Sequence, residues 1–233
     1  MIKITTLDNG LRIVTQLMPG LETVSMGIWN FVGGRDEVKN INGVAHLLEH
    51  MAFKGTSTRS AQQIAEEFDM IGGHINAYTS MEQTVYYARV LKQHLPVAVE
   101  ILADILQDSL FDEEELTREK EVIVQEIGMH HDSPEDLVFD YLHEVIYPHH
   151  PLGQNILGTP ETVRAFAPDD IRTYMAQHYH APAMVISAAG NVEHDALVAL
   201  VEKHFTQITD TKTSFTASPA YTGGKRQESR DEL

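Results

Sequence analysis

The 233-residue sequence contains no cysteine. That excludes disulfide frameworks, cysteine zinc sites, thiol nucleophiles and iron–sulfur clusters, and leaves His, Asp and Glu for any metal site. Positive charge is scarce: 17 Lys and Arg stand against 34 Asp and Glu, a formal net charge of −17. Such a balance disfavours a phosphate backbone, so no nucleic-acid partner is expected. It suits a basic or neutral partner, or simply a solvated acidic surface. No run reaches the ~18 consecutive apolar residues of a membrane span. The start, Met1-Ile2-Lys3-Ile4-Thr5-Thr6, lacks the basic start and apolar core of a signal peptide. A soluble, cytoplasmic protein is therefore expected. Internal repeats and low-complexity blocks are also absent. What is present is ordinary globular composition, 42% hydrophobic and 22% charged. That is enough for one large domain or two small ones with a real core.

Residues 2–7 and 11–17 flank Asp8-Asn9-Gly10 and read as a β-hairpin with Asn-Gly in the turn. Further strands are expected over 24–32, 74–79, 84–91 and 184–189, from their apolar, β-branched and aromatic content. Helices are expected over 43–53, from Ser60 to Ile71 behind a Ser60/Gln63 capping box, and over 95–109 and 112–131. Others start at Pro134 and run to near Pro148, and span 168–179 and 193–205. Residues 148–160 read as loop, and 209–224, rich in Thr, Ser, Pro and Gly, as a linker. Strands and helices alternate irregularly, which favours an α+β fold: a mostly antiparallel sheet of about six strands packed with helices.

His46-Leu47-Leu48-Glu49-His50 is the segment that carries chemistry. On a helix, residues i and i+4 share a face, so both imidazoles can reach one metal ion. Glu49 projects towards the same side and could deprotonate a water activated there. The pattern arises in roughly 6% of shuffled sequences, so its surroundings matter. Three ionisable residues lie in an otherwise apolar helix, where burial without partners is costly. A catalytic zinc site needs a third protein ligand and an open position. The helix over 112–131 offers Glu119 and Glu126, seven apart and so on one face. Glu126 lies among Val122, Ile123, Val124 and Ile127, where a carboxylate is either paired or a ligand. A solvated acidic face suits Glu113, Glu114, Glu115 and Glu121 better. His130-His131 and His149-His150 are rival ligands, but both pairs read as surface residues. The other histidines carry no ligand-like spacing.

Four segments, 42–56 (NGVAHLLEHMAFKGT), 72–80 (GGHINAYTS), 118–127 (REKEVIVQEI) and 188–192 (AAGNV), carry a family resemblance. The sequence resembles the inverted-motif zinc metallopeptidases of the mitochondrial processing peptidase and insulysin type, nearest to processing-peptidase β-like bacterial members. The likeness extends over essentially all of 2–233. It implies zinc as cofactor, held by His46, His50 and Glu126, the last 76 positions after His50. It implies Glu49 as general base, with Glu119 supporting the catalytic site. It implies that an extended peptide pairs with the sheet edge at Asn76, Ala77, Tyr78 and Thr79. Members of this branch have two similar halves, and this chain resembles the N-terminal one. Residues 1–208 then correspond to the catalytic zinc-peptidase domain and 209–233 to a link towards a missing C-terminal half. That half closes the chamber and supplies an Arg and a Tyr. The implied function is a zinc-dependent endopeptidase acting on peptides or presequence-like segments, with the isolated half inactive or weakly active. The alternative is a non-catalytic partner or scaffold subunit. Expected partners are a peptide substrate, basic by charge complementarity, and a C-terminal half or partner subunit; a dimer is left open.

Overall fold

The structure is a computed structural model and describes residues 1–211 and 217–229. Six strands form one sheet: β1 (Ile2–Thr6), β2 (Arg12–Leu17), β3 (Thr23–Asn30), β4 (His74–Thr79), β5 (Thr84–Leu91) and β6 (Met184–Gly190). Their order is β1-β2-β6-β3-β5-β4. All neighbours are antiparallel except β2 and β6, which run parallel with Arg12 opposite Val185. This is the expected α+β architecture. The parallel pair joins segments at opposite ends of the chain, a long-range choice that no local pattern encodes. Alternate residues turn to the core, with Val24, Met26 and Ile28 on β3 beside Tyr86, Ala88 and Val90 on β5 and Ile186 and Ala188 on β6.

Among the described residues, eight α-helices accompany the sheet. They are α1 (Val44–Ala52), α2 (Ala61–Met70), α3 (Leu95–Asp108), α4 (Glu113–His131), α5 (Pro134–Ile146), α6 (Pro160–Ala165), α7 (Pro168–His178) and α8 (His194–His204). Their starts follow the local chemistry. Ser60 accepts from the Gln63 N–H while Gln63 accepts from the Ser60 N–H, the reciprocal cap read from the sequence. Asp112 accepts from Glu114 N–H and Glu115 N–H at the head of α4, whose first turn is acidic. Pro134 and Pro160 occupy first helical turns, where a missing N–H costs nothing. The short α6 is an element the sequence reading does not contain. Its Thr159 cap and Pro160 are present in the sequence, but six residues leave too little periodicity to see.

Helix α3 lies deep in the core, with Ala98, Val99, Ile101 and Leu102 wholly buried. Helix α1 buries Val44, Ala45, Leu47, Leu48 and Met51, which fixes its polar residues on the remaining side. It packs against α4 and against β4, an edge strand that has β5 on one side and, among the described residues, no strand on the other. Among the described residues no helix is long and apolar enough to cross a membrane. The linker expected at 209–233 falls partly on 212–216 and 230–233, outside the described residues. Within 217–229, Thr222 donates its N–H to the Ile146 carbonyl at 3.2 Å, and Arg226 lies over the Tyr141 ring and pairs with Glu144.

Candidate metal centre

Helix α1 is begun by a residue remote from it in the turn that follows β3. Gly43 is left-handed at φ 97° and offers no capping side chain. The Glu37 carboxylate takes that place, accepting from Gly43 N–H at 2.8 Å, from Ala45 N–H at 2.7 Å and from Asn42 Nδ2 at 3.1 Å. Glu37 is fully buried, and burial pushes its carboxyl up to about 7 against the lowering effect of these three bonds. No sequence spacing marks Glu37, because it caps a helix from outside it.

His46 and His50 lie one turn apart on α1, with ring centroids 4.7 Å apart. Glu126 reaches them from α4: its Oε2 is 3.8 Å from His46 Nε2 and 3.6 Å from His50 Nε2. One donor atom from each of the three lies within 4.8 Å of the others. Two imidazole nitrogens and one carboxylate oxygen suit a zinc ion with an open coordination position. Burial and the neighbouring His50 depress the His46 imidazole to about 4, so it is neutral near pH 7, the state a ligand requires.

Glu119 does not join this group. Its Oε2 is 2.9 Å from His50 Nδ1, and its Oε1 pairs with Lys54 Nζ at 2.6 Å. Burial raises the Glu119 carboxyl, but the bonds from Lys54 and His50 together outweigh it and hold the group below its ordinary value. A carboxylate on Nδ1 directs the Nε2 lone pair towards Glu126. Lys54 is a member of this cluster that the sequence reading does not single out. Its place one turn past His50 is the signal that was available.

Glu49 is half-buried on the same helix. Its charge reaches two buried phenols, Tyr86 and Tyr179, whose hydroxyls lie 3.2 Å apart. Tyr179 is pushed up to about 12, first by burial, with Glu49 adding to it. The residues Asn76, Ala77, Tyr78 and Thr79 all lie on the edge strand β4, and Thr79 Oγ1 donates to the Ala45 carbonyl of α1 at 3.4 Å. The unpaired strand edge therefore runs beside the helix that carries both histidines. Within β4, Ala77 N–H donates to the neighbouring Asn76 Oδ1 at 2.9 Å.

The rival histidines resolve differently from one another. His131 and His149 are exposed. His130 is not the surface residue expected: it is part-buried, and its Nε2 is 2.6 Å from Asp140 Oδ2 on α5. His150 accepts from the Leu152 N–H on its Nδ1 and so caps a local turn.

Comparison with known proteins accords with this geometry. The family model for insulinase, peptidase family M16, matches residues 12–160, and that for the peptidase M16 inactive domain matches 165–232. The chain is 43% identical to an uncharacterized zinc protease of Rickettsia felis over 228 residues, covering 98% of this chain and 55% of that protein. It is 49% identical to the uncharacterized zinc protease YmxG of Bacillus subtilis, covering 88% and 50% respectively. It is 43% identical to a probable mitochondrial-processing peptidase subunit beta of Arabidopsis thaliana, covering 91% and 40%. The chain thus spans about half the length of the curated relatives it matches. A protease from Helicobacter pylori superposes with a TM-score of 0.86 at 24% identity, over 95% of this chain and 54% of that one. A peptidase M16 inactive domain from Pseudomonas fluorescens does so at 0.87 and 17%, over 94% and 54%. These two likenesses speak for the fold alone. The family match over most of the chain, with relatives above 40% identity, leads to one conclusion: this chain belongs to the insulinase family of peptidases, peptidase family M16.

Proposed function

We propose that this chain is the catalytic half of a zinc-dependent endopeptidase. Three metal-type donors from two helices lie together beside an unpaired strand edge, and this juxtaposition carries the proposal. His46, His50 and Glu126 would hold the zinc, which supplies polarisation of a water and of the scissile carbonyl. Glu49 takes the proton of the attacking water and returns it to the leaving amine. Glu119 touches His50 rather than the reacting atoms, so it acts as a positioning residue. An extended peptide adds to the free edge of β4 at Asn76, Ala77, Tyr78 and Thr79, where backbone pairing tolerates varied sequence. The charge of −17 favours basic, presequence-like segments, whose cleavage slows as salt rises.

Residues 1–208 form the catalytic domain in this proposal, and 209–233 lead to a C-terminal half or partner subunit that completes the chamber. The half alone is then inactive or weakly active. Cytoplasmic residence is part of the proposal, with cell fractionation as its check. A non-catalytic scaffold subunit is the second reading, since a domain described as inactive shares the fold. The intact donor group favours catalysis.

The test combines metal analysis with peptide cleavage. Protein purified without chelator should contain zinc, and His50→Ala should lose it with the fold intact. Glu49→Gln should keep zinc and abolish cleavage of a fluorogenic basic peptide assayed with the C-terminal half present. Unchanged zinc content in His50→Ala would overturn the ligand assignment. Robust cleavage by the 233-residue chain alone would overturn its incompleteness.

A further inference from the structure

The candidate metal group joins residues 76 positions apart, so its geometry depends on how α1 and α4 are held against each other. The two helices run in opposite directions. His50 and, just past the end of α1, Lys54 meet Glu119, while His46, one turn earlier, meets Glu126, two turns further along α4. Glu119 thus ties the helices together on one side of the group.

On the other side a continuous chain of hydrogen bonds does the same. It starts at the head of α1, where the buried Glu37 carboxylate accepts from Gly43 N–H and Ala45 N–H. The Asn42 amide donates to Glu37 Oε2 at 3.1 Å and to the Asn155 carbonyl at 2.9 Å. The side-chain amide of Asn155 donates in turn to Asp140 Oδ2 on α5. That same oxygen accepts from His130, which holds its proton on Nε2, at 2.6 Å. His130 lies one turn beyond Glu126 on α4, hence on the same face. The loop in the middle approaches the segment before α1 closely: a Cβ on Gly158 would come within 2.5 Å of the Asn42 carbonyl. The α1 end of the chain is buried, Glu37 at 0% and Asn42 at 6% exposure, where hydrogen bonds are strong and their loss is costly.

We propose that Glu37, Asn42, Asn155, Asp140 and His130 form a polar strut that fixes the separation of α1 and α4 at the metal group, so that Asp140 and His130 are positioning residues although neither is a ligand. The strut and the Glu119 tie bracket the three donors from both ends. The proposal rests on His46, His50 and Glu126 binding a metal.

Zinc affinity, measured by competition with a chromophoric chelator, and the visible spectrum of the Co²⁺-loaded protein test it together. Asp140→Ala and His130→Ala should each weaken zinc binding by up to roughly tenfold, the low end of what partners bonded directly to a ligand contribute, and shift the Co²⁺ bands. The double variant should be no weaker than Asp140→Ala alone, because both remove the same link. Asp140→Asn, which keeps an oxygen for both donors, should restore affinity and spectrum. Should Asp140→Ala not fold, His130→Ala, at the more exposed end, decides the matter alone. Parent-level zinc affinity and an unshifted Co²⁺ spectrum, even with a lowered melting temperature of the metal-free protein, would overturn the strut and leave the metal centre standing. Failure of the parent chain to bind either ion would overturn both.

Discussion

Replacement of Glu119 by Ala separates a residue that holds a ligand from one that is a ligand. In the folded protein the Glu119 side chain is 10% exposed, with one oxygen 2.9 Å from His50 Nδ1 and the other 2.6 Å from Lys54 Nζ. Removing it leaves Glu126 and both histidines in place, so zinc should still bind. His50 loses the partner that keeps its proton on Nδ1 and its Nε2 lone pair turned to the metal position. Partners of this kind contribute about 10- to 100-fold in metal affinity, or roughly 1.4–2.7 kcal/mol. The folding cost should be smaller, about 1 kcal/mol, because Lys54 is 30% exposed and can return its ammonium to water. Glu119→Gln retains an acceptor for His50 and loses only the charge opposite Lys54, so its affinity should fall less than about tenfold. The assay is zinc competition against a chromophoric chelator near neutral pH, paired with urea unfolding of the metal-free proteins. Glu119→Ala binding zinc as tightly as the parent, with an intact fold, would refute the positioning role. Complete loss of zinc would refute the distinction between Glu119 and the ligands.

Two further outcomes follow from the helix that carries the histidines. His46 is held at about 4 against an ordinary 6.5, so the folded metal-free protein binds fewer protons there than the unfolded chain. The associated stability is present above pH 6.5 and is lost as pH falls through about 4, an effect of about 3 kcal/mol. Urea midpoints measured across that window should therefore drop more steeply for the parent than for His46→Ala, and parallel profiles would count against burial as the cause. Gly43→Ala should destabilise the fold by about 2 kcal/mol or more, because an L-residue is strained in the left-handed region. Its Cβ would also lie 2.8 Å from the Leu157 carbonyl oxygen at a φ of 97°. A loss below about 0.5 kcal/mol in urea unfolding would show that the backbone there relaxes freely.

Legibility followed the range of the interactions involved. The strand-forming segments, the Ser60 cap, the acidic start of α4 and the apolar side of α1 all depend on neighbours within a few residues, and each stands where the residue pattern places it. Helix α6 was too short for its period to register. Lys54 was local enough to be seen beside the motif, but only its ion pair with Glu119 gives it a reason. Glu37 was invisible, since it caps a helix from outside that helix and its partners are backbone groups. His130 looked like half of an exposed pair because its partner Asp140 lies on a different helix.

The sequence by itself determined which side chains can bind a metal and that two of them share a helix face, because helical geometry converts a spacing of four residues into proximity. Without cysteine, those side chains had to be imidazoles and carboxylates. Residue spacing alone does not decide that Glu126 meets His46 and His50 while Glu119 stays behind His50 with Lys54; the tertiary structure does. Both carboxylates lie on one face of α4, and helical periodicity treats them alike. The antiparallel packing of α1 on α4 distinguishes them, since it sets each at a different height along α1. The same packing brings Glu37 and His130 to the two ends of one hydrogen-bonded chain, a relation between residues that no local pattern of the sequence contains.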